Sequence, residues 1–210
     1  MFLNKGSLMR KNTLSIAIVW AIILLLSGCG RTRYPSYYTL SIAPALTPNV
    51  SSTHPPMTVA VQRFETPAYL RQGRIVYSKA PGDIGFYEYH RWAVDPGAAV
   101  TTAVVESLRS ERLFSSAAPY DGQQSVDYLL SGRLEKLEEV DYGGGVKVEA
   151  KLSAELMNLR TGSIVWTGDA AESSRVEGHD VNSVVTEMSR ALQSSIDRLL
   201  SGMEHQISGT

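Results

Sequence analysis

Val146-Lys147-Val148-Glu149-Ala150-Lys151-Leu152-Ser153-Ala154-Glu155-Leu156-Met157 alternates apolar or small side chains with polar ones as far as Leu156. Successive strand residues point to opposite faces, so a period of two over this length predicts an antiparallel strand with one dry face and one wet face. Tyr142-Gly143-Gly144-Gly145 stands before it and Arg160-Thr161-Gly162 after it, both with turn composition. The stretch therefore forms the middle of a three-stranded meander, flanked by Asp127-Tyr128-Leu129-Leu130 and Ile164-Val165-Trp166.

A sheet with one dry face needs covering, and two segments have the required pattern. Asp95-Pro96 is a helix start, with Asp as cap and Pro in the first turn, and Val100, Ala103, Val104, Ser107 and Leu108 follow at helical spacing; the helix is expected to end near Glu111. Asp180 opens a second helix whose stripe runs through Val181, Val184, Val185, Met188, Ala191 or Leu192, Ile196, Leu199 and Met203. The expected fold is a single α/β (α+β) domain, a mixed and largely antiparallel sheet covered by two main helices.

Upstream, residues 37–42 are rich in β-formers and read as a first strand, residues 43–56 have loop composition, and residues 57–64 are apolar enough for a central strand. Pro67-Ala68-Tyr69-Leu70 predicts a single turn before Gly73. Residues 74–78 and 86–92 then form a hairpin through Ala80-Pro81-Gly82-Asp83. In the second of these strands, simple alternation puts Phe86, Glu88, His90 and Trp92 on one face and Tyr87, Tyr89 and Arg91 on the other. Glu135-Lys136-Leu137-Glu138-Glu139 reads as the wet end of a long strand.

The first 29 residues have another logic. Lys5, Arg10 and Lys11 precede an uncharged run of 13 residues, 14–26. A membrane-spanning helix needs about 20, so the run has the length of a signal-peptide core. Leu26-Ser27-Gly28-Cys29 resembles the bacterial lipobox, with cleavage before Cys29 and acylation of its sulfur. Cys29 is the only cysteine, so no disulfide forms within one chain. Several acyl chains at one residue make a stable anchor, whereas a single chain binds marginally. The expected organisation is a leader over 1–28, a short tether over 29–36, a domain over 37–205 and a tail over 206–210. Removing residues 1–28 takes three cations and no acid, leaving 17 Lys and Arg against 21 Asp and Glu, a net charge of −4. That balance argues against a nucleic-acid partner or a polybasic membrane patch.

Tyr37-Tyr38-Thr39-Leu40, Val59-Ala60-Val61, Pro67-Ala68-Tyr69-Leu70, Arg74-Ile75-Val76-Tyr77, Arg91-Trp92-Ala93 and Asp127-Tyr128-Leu129-Leu130-Ser131-Gly132-Arg133-Leu134 follow the lipobox in this order. In that order they resemble the ABC-type transport auxiliary lipoproteins, the PqiC/YmbA-like family, over nearly all of the mature chain. The resemblance implies an outer-membrane lipoprotein facing the periplasm, partnered with an Mce-type periplasmic protein and an inner-membrane ABC permease in lipid transport. Residue 30 is Gly; by resemblance to Gram-negative lipoproteins, Asp there would favour the inner membrane. The rival role is an assembly or pilotin-like lipoprotein of another envelope complex. A homo-oligomeric collar fits a docking role, and the residues set no copy number.

No catalytic or cofactor motif stands against this. Gly-x-Ser-x-Gly and His-Glu-x-x-His are absent, Gly143-Gly144-Gly145 reads as a turn, and His54, His90, His179 and His205 lack metal-ligand spacing. The expectation is a non-enzyme with no metal and no cofactor. Tyr77, Tyr87, Tyr89, Arg91 and Trp92 are the candidate partner-binding residues, because Tyr, Trp and Arg dominate protein-binding hot spots. The competing expectation for this stretch is ordinary core and solvated strand surface. Mass spectrometry of the processed protein is expected to find an acylated N-terminal Cys29; a bare thiol or an uncleaved leader is the contrary result.

Overall fold

The computed structural model describes residues 33–43, 57–123, 125–178 and 180–208. Cys29, the leader, the proline-rich segment 44–56, His54 and His179 lie outside them. The compact unit begins at Pro35. In order along the chain it holds β1 (Ser36–Tyr38), β2 (Thr58–Val61), a 3-10 turn (Leu70–Gln72), β3 (Arg74–Ser78), β4 (Gly85–Trp92), α1 (Pro96–Glu111), β5 (Ser116–Pro119), β6 (Tyr128–Val140), β7 (Lys147–Asn158), β8 (Ser163–Arg175) and α2 (Val181–Ser208). The expected α+β architecture stands: one eight-stranded mixed sheet and two helices.

The alternating stretch forms β7, paired antiparallel with β6 on one side and β8 on the other. Val148, Ala150, Leu152 and Leu156 point to the dry face and are essentially inaccessible. The two outer strands run much further than their apolar cores suggested, because each has a full-length partner that satisfies its backbone. β6 shares its other edge between two parallel strands, β2 beside Tyr128–Leu130 and β3 beside Glu139 and Val140. β5 joins β2, β1 joins β4, both in parallel, and β3 pairs antiparallel with β4. Parallel pairing brings together segments distant in sequence, and no local pattern announced it. The four-residue β5 was not foreseen at all.

Both helices form for the reasons their sequences suggest. Asp95 Oδ1 accepts the Ala98 amide at 3.0 Å, Pro96 opens α1, and Arg112 ends it in a left-handed turn. Asp180 accepts the amides of Asn182 at 2.8 Å and Ser183 at 3.2 Å to start α2. Val100, Ala103, Val104, Ser107 and Leu108 are buried on α1; Val184, Val185, Met188, Ala191, Leu192, Ile196, Leu199 and Met203 are buried on α2. α2 lies over β7 and β8, and α1 over the β2, β5 and β6 region. Each fully buried aliphatic side chain contributes about 1.5–3 kcal/mol, so these stripes hold the layers together.

Two expectations change. The run Glu135-Lys136-Leu137-Glu138-Glu139 is not a wet strand end: Glu138 and Glu139 are buried, because β3 pairs alongside and the 67–72 segment lies close by. The run also contains a bulge, since the pairing skips from Leu134↔Leu152 to Lys136↔Lys151. In β4 the simple alternation fails. Arg74 faces Arg91 but Val76 faces Phe86, so the pairing slips between them and the face assignment slips with it.

The fork at β6 is packed around one aromatic ring. A Cβ at Gly132 would meet the Phe64 ring at 2.3 Å, so the ring occupies the space a side chain would need. Gly132→Ala is expected to lower the unfolding free energy by about 1–3 kcal/mol, read as a lower urea midpoint at unchanged slope. Adding Phe64→Leu should restore part of the loss.

Candidate functional site

The β3–β4 hairpin brings four of the five candidate residues to a surface and removes the fifth. Trp92 is 6% exposed and belongs to the core, paired by its amide to the Gly73 carbonyl at 2.9 Å. Trp92 is therefore corrected from a surface anchor to a packing residue of the core cluster. Tyr77, Tyr87, Tyr89 and Arg91 are half-buried. The Tyr77 and Tyr87 rings meet edge to face at 5.4 Å, the Lys79 ammonium lies 5.1 Å from the Tyr77 ring centre, and Gly85 leaves the space that Tyr77 fills.

His90 turns toward the same cluster. Its ring meets Tyr87 edge to face at 5.5 Å, and its Nδ1 shares a 2.9 Å hydrogen bond with the Tyr38 hydroxyl from β1. Alternation had placed Tyr87 and His90 on opposite faces; the irregular pairing puts their rings in contact. Sequence reading also missed Tyr38, whose role depends on the parallel pairing of Tyr38 with Trp92.

At the base of the cluster the Tyr87 hydroxyl donates to Glu139 Oε2 at 2.6 Å. Burial raises the Glu139 carboxyl above its ordinary value, and the hydrogen bond from Tyr87 pulls the other way. Burial, reinforced by that bond to the carboxylate, raises the Tyr87 phenol. The pair fixes one ring and one acid against each other, which is positioning chemistry.

A second surface lies on the wet face of β6, β7 and β8, a groove of about 670 Å³. Arg133, Glu135, Lys151 and Asp169 are among its walls. Its charges pair internally: Lys151 with Glu135 at 2.8 Å, Arg133 with Glu65 at 3.7 Å. Hydrogen bonding to Lys151 lowers the Glu135 carboxyl, and the same contact raises the Lys151 ammonium. Nearby, Lys136 bridges Glu138 at 3.0 Å and Glu149 at 2.9 Å. The exposed pairs, Lys151 with Glu135 and Arg133 with Glu65, are screened by solvent and add little to stability, while Glu155 and Asp169 leave the groove slightly acidic. Among the described residues no group of three His, Cys, Asp or Glu could hold a metal ion, and no helix is long and apolar enough to cross a membrane.

The model of the family described as "ABC-type transport auxiliary lipoprotein component" matches residues 38–199. The chain belongs to this family. It is an auxiliary lipoprotein of ABC-type transport systems, and as a lipoprotein it is a membrane-anchored protein of the cell envelope. Solved structures repeat the family fold. A Xanthomonas campestris protein superposes with a TM-score of 0.72 at 17% identity, covering 83% of this chain and 98% of its own. A hypothetical protein from Chlamydia trachomatis gives 0.53 at 9% identity, covering 74% and 100%. At such identities the likeness concerns the fold alone. No curated protein matches this sequence.

Tyr87→Phe strips the buried Glu139 of its donor and is expected to cost about 1–3 kcal/mol at pH 8. A carboxyl raised above its ordinary 4.5 carries its burial penalty at high pH and sheds it as pH falls through the raised value toward 4.5. The deficit of the variant should therefore shrink toward pH 5 in urea unfolding, and Glu139→Gln should remove that pH dependence.

Proposed function

We propose that this protein is a non-catalytic docking component of an Mce-type intermembrane lipid transport system, anchored in the outer membrane through Cys29 and facing the periplasm. The observation that carries the reading is the family match across nearly the whole folded domain, 38–199, to an auxiliary role in ABC-type transport. Gly30 after the lipidated cysteine favours the outer membrane over the inner one. Cys29 stands seven residues before Ser36, a reach of at most about 25 Å, so the domain works close to the membrane that holds it.

The hairpin cluster is the surface that meets the transport partner. Tyr89 and Arg91 supply the contact, while Tyr77 and Tyr87 are braced by each other and by Glu139, which limits the side-chain entropy lost on binding. The lipobox, the tether and the aromatic cluster thus act in series: anchor, spacer and contact.

Tagged protein purified from membranes is expected to bring down Mce-type and permease components. Tyr89→Ala with Arg91→Ala should reduce the yield at least fivefold while leaving thermal unfolding within a few degrees of wild type. Recovery of a secretion channel instead, or unchanged yield from the double variant, would overturn the assignment or the surface respectively.

A further inference from the structure

The wet face of the meander changes character at one end. Over most of its length it carries Arg133, Glu135, Lys151, Glu155 and Asp169, but at the β7–β8 turn it becomes apolar. Leu129 pairs with Met157 and Met157 with Ile164, so these three side chains line up across three strands on the face away from α2. Leu159 and Val165 follow Met157 and Ile164 closely in the chain. Ile164 is 51% exposed, Leu159 38% and Val165 36%, and none of the five belongs to the core cluster.

β8 beside this patch is the last strand of the sheet and pairs only with β7. From Trp166 to Arg175 its register is regular, so a long row of outward main-chain donors and acceptors has no strand to meet them among the described residues. β1 runs parallel to β4, so the chain comes into the domain from the end where β3 turns into β4 and β6 into β7. The apolar patch lies at the opposite end of the sheet, where β7 turns into β8.

We infer that the β8 edge with its apolar end is a strand-addition site for an extended segment of a partner polypeptide, apolar beside Ile164 and Val165 and cationic where it passes Asp169. The edge supplies sequence-independent hydrogen bonds, and alternate side-chain sites supply selectivity. Five partly exposed side chains offer on the order of 300 Å², well below the roughly 800 Å² per partner of a stable folded interface, which suits a single segment. A second copy of this chain is disfavoured. Antiparallel self-pairing over the whole of Ser163–Arg175 would set Asp169 against Asp169, like charges directly opposed. The site is separate from the aromatic hairpin, and rests on the docking reading only for the expectation that a partner polypeptide is present.

The test uses the mature lipoprotein in detergent micelles and a blocked twelve-residue peptide in which valine alternates with lysine and threonine. The control replaces two of its valines by proline, which cannot donate to a ladder. Amide exchange over residues 163–175 is expected to slow at least tenfold with the first peptide and not with the second. Asp169→Glu should keep the affinity, Asp169→Arg should weaken it about tenfold, and neither should alter thermal unfolding. Equal protection by the proline peptide, or protection confined to other strands, would overturn the inference. So would β8 amides already protected in the free protein together with sedimentation at twice the monomer mass, which would identify a second copy as the occupant. These outcomes are independent of co-purification with transport components, so either reading can fail without the other.

Discussion

Thirteen residues of β6 give their main-chain groups to three other strands, and the placement of both helices follows from that sharing. One edge is taken over its full length by β7. The other is divided, with β2 at the start, β3 at the end and the Glu65–Arg133 bridge between them. Between the two halves, near Glu135 and Lys136, the pairing of β6 with β7 shifts by one residue in a bulge. The ring of Phe64 fills the crotch of the fork over Gly132, so the division is a packed structure and not a gap.

Polar groups inside this arrangement are paired in ways that constrain more than they stabilise. Glu139 sits where β3 meets β6, desolvated and held by the Tyr87 hydroxyl. Losing either partner strands the other, so the pair ties the β3–β4 hairpin to the spine of the sheet at one defined register. At its outer rim the same hairpin carries Tyr89 and Arg91. In the proposed docking role, such a rigid, internally bonded support limits the freedom lost when a partner arrives.

How much of this could be seen in the residues depends on the range of the interactions. The β7 alternation, the Asp95 and Asp180 caps and both helical stripes are local patterns, and the structure reproduces them, with Val146, Ala154 and Val181 only half-buried. Membership of the family was legible as well, because the ordered segments survive where single motifs are weak. What escaped were long-range consequences. Burial of Glu138 and Glu139 requires knowing that β3 lies beside them, and the contact of Tyr87 with His90 requires the slipped pairing of β4. Trp92 looked like a binding residue by type and proved to be a core residue by position. The groove on the wet face and the bare edge of β8 have no signature in composition, since both are properties of neighbours that are or are not present.

Helix α2 closes the dry side of the meander. Without residues 181–203 the dry faces of β7 and β8 lose their cover, and the parallel pairings to β6 already demand contacts across long stretches of sequence. A chain in that state exposes the apolar face of the sheet to solvent. Chains cut within α2 should therefore surface as protease-cleared material rather than as a weakened but folded protein.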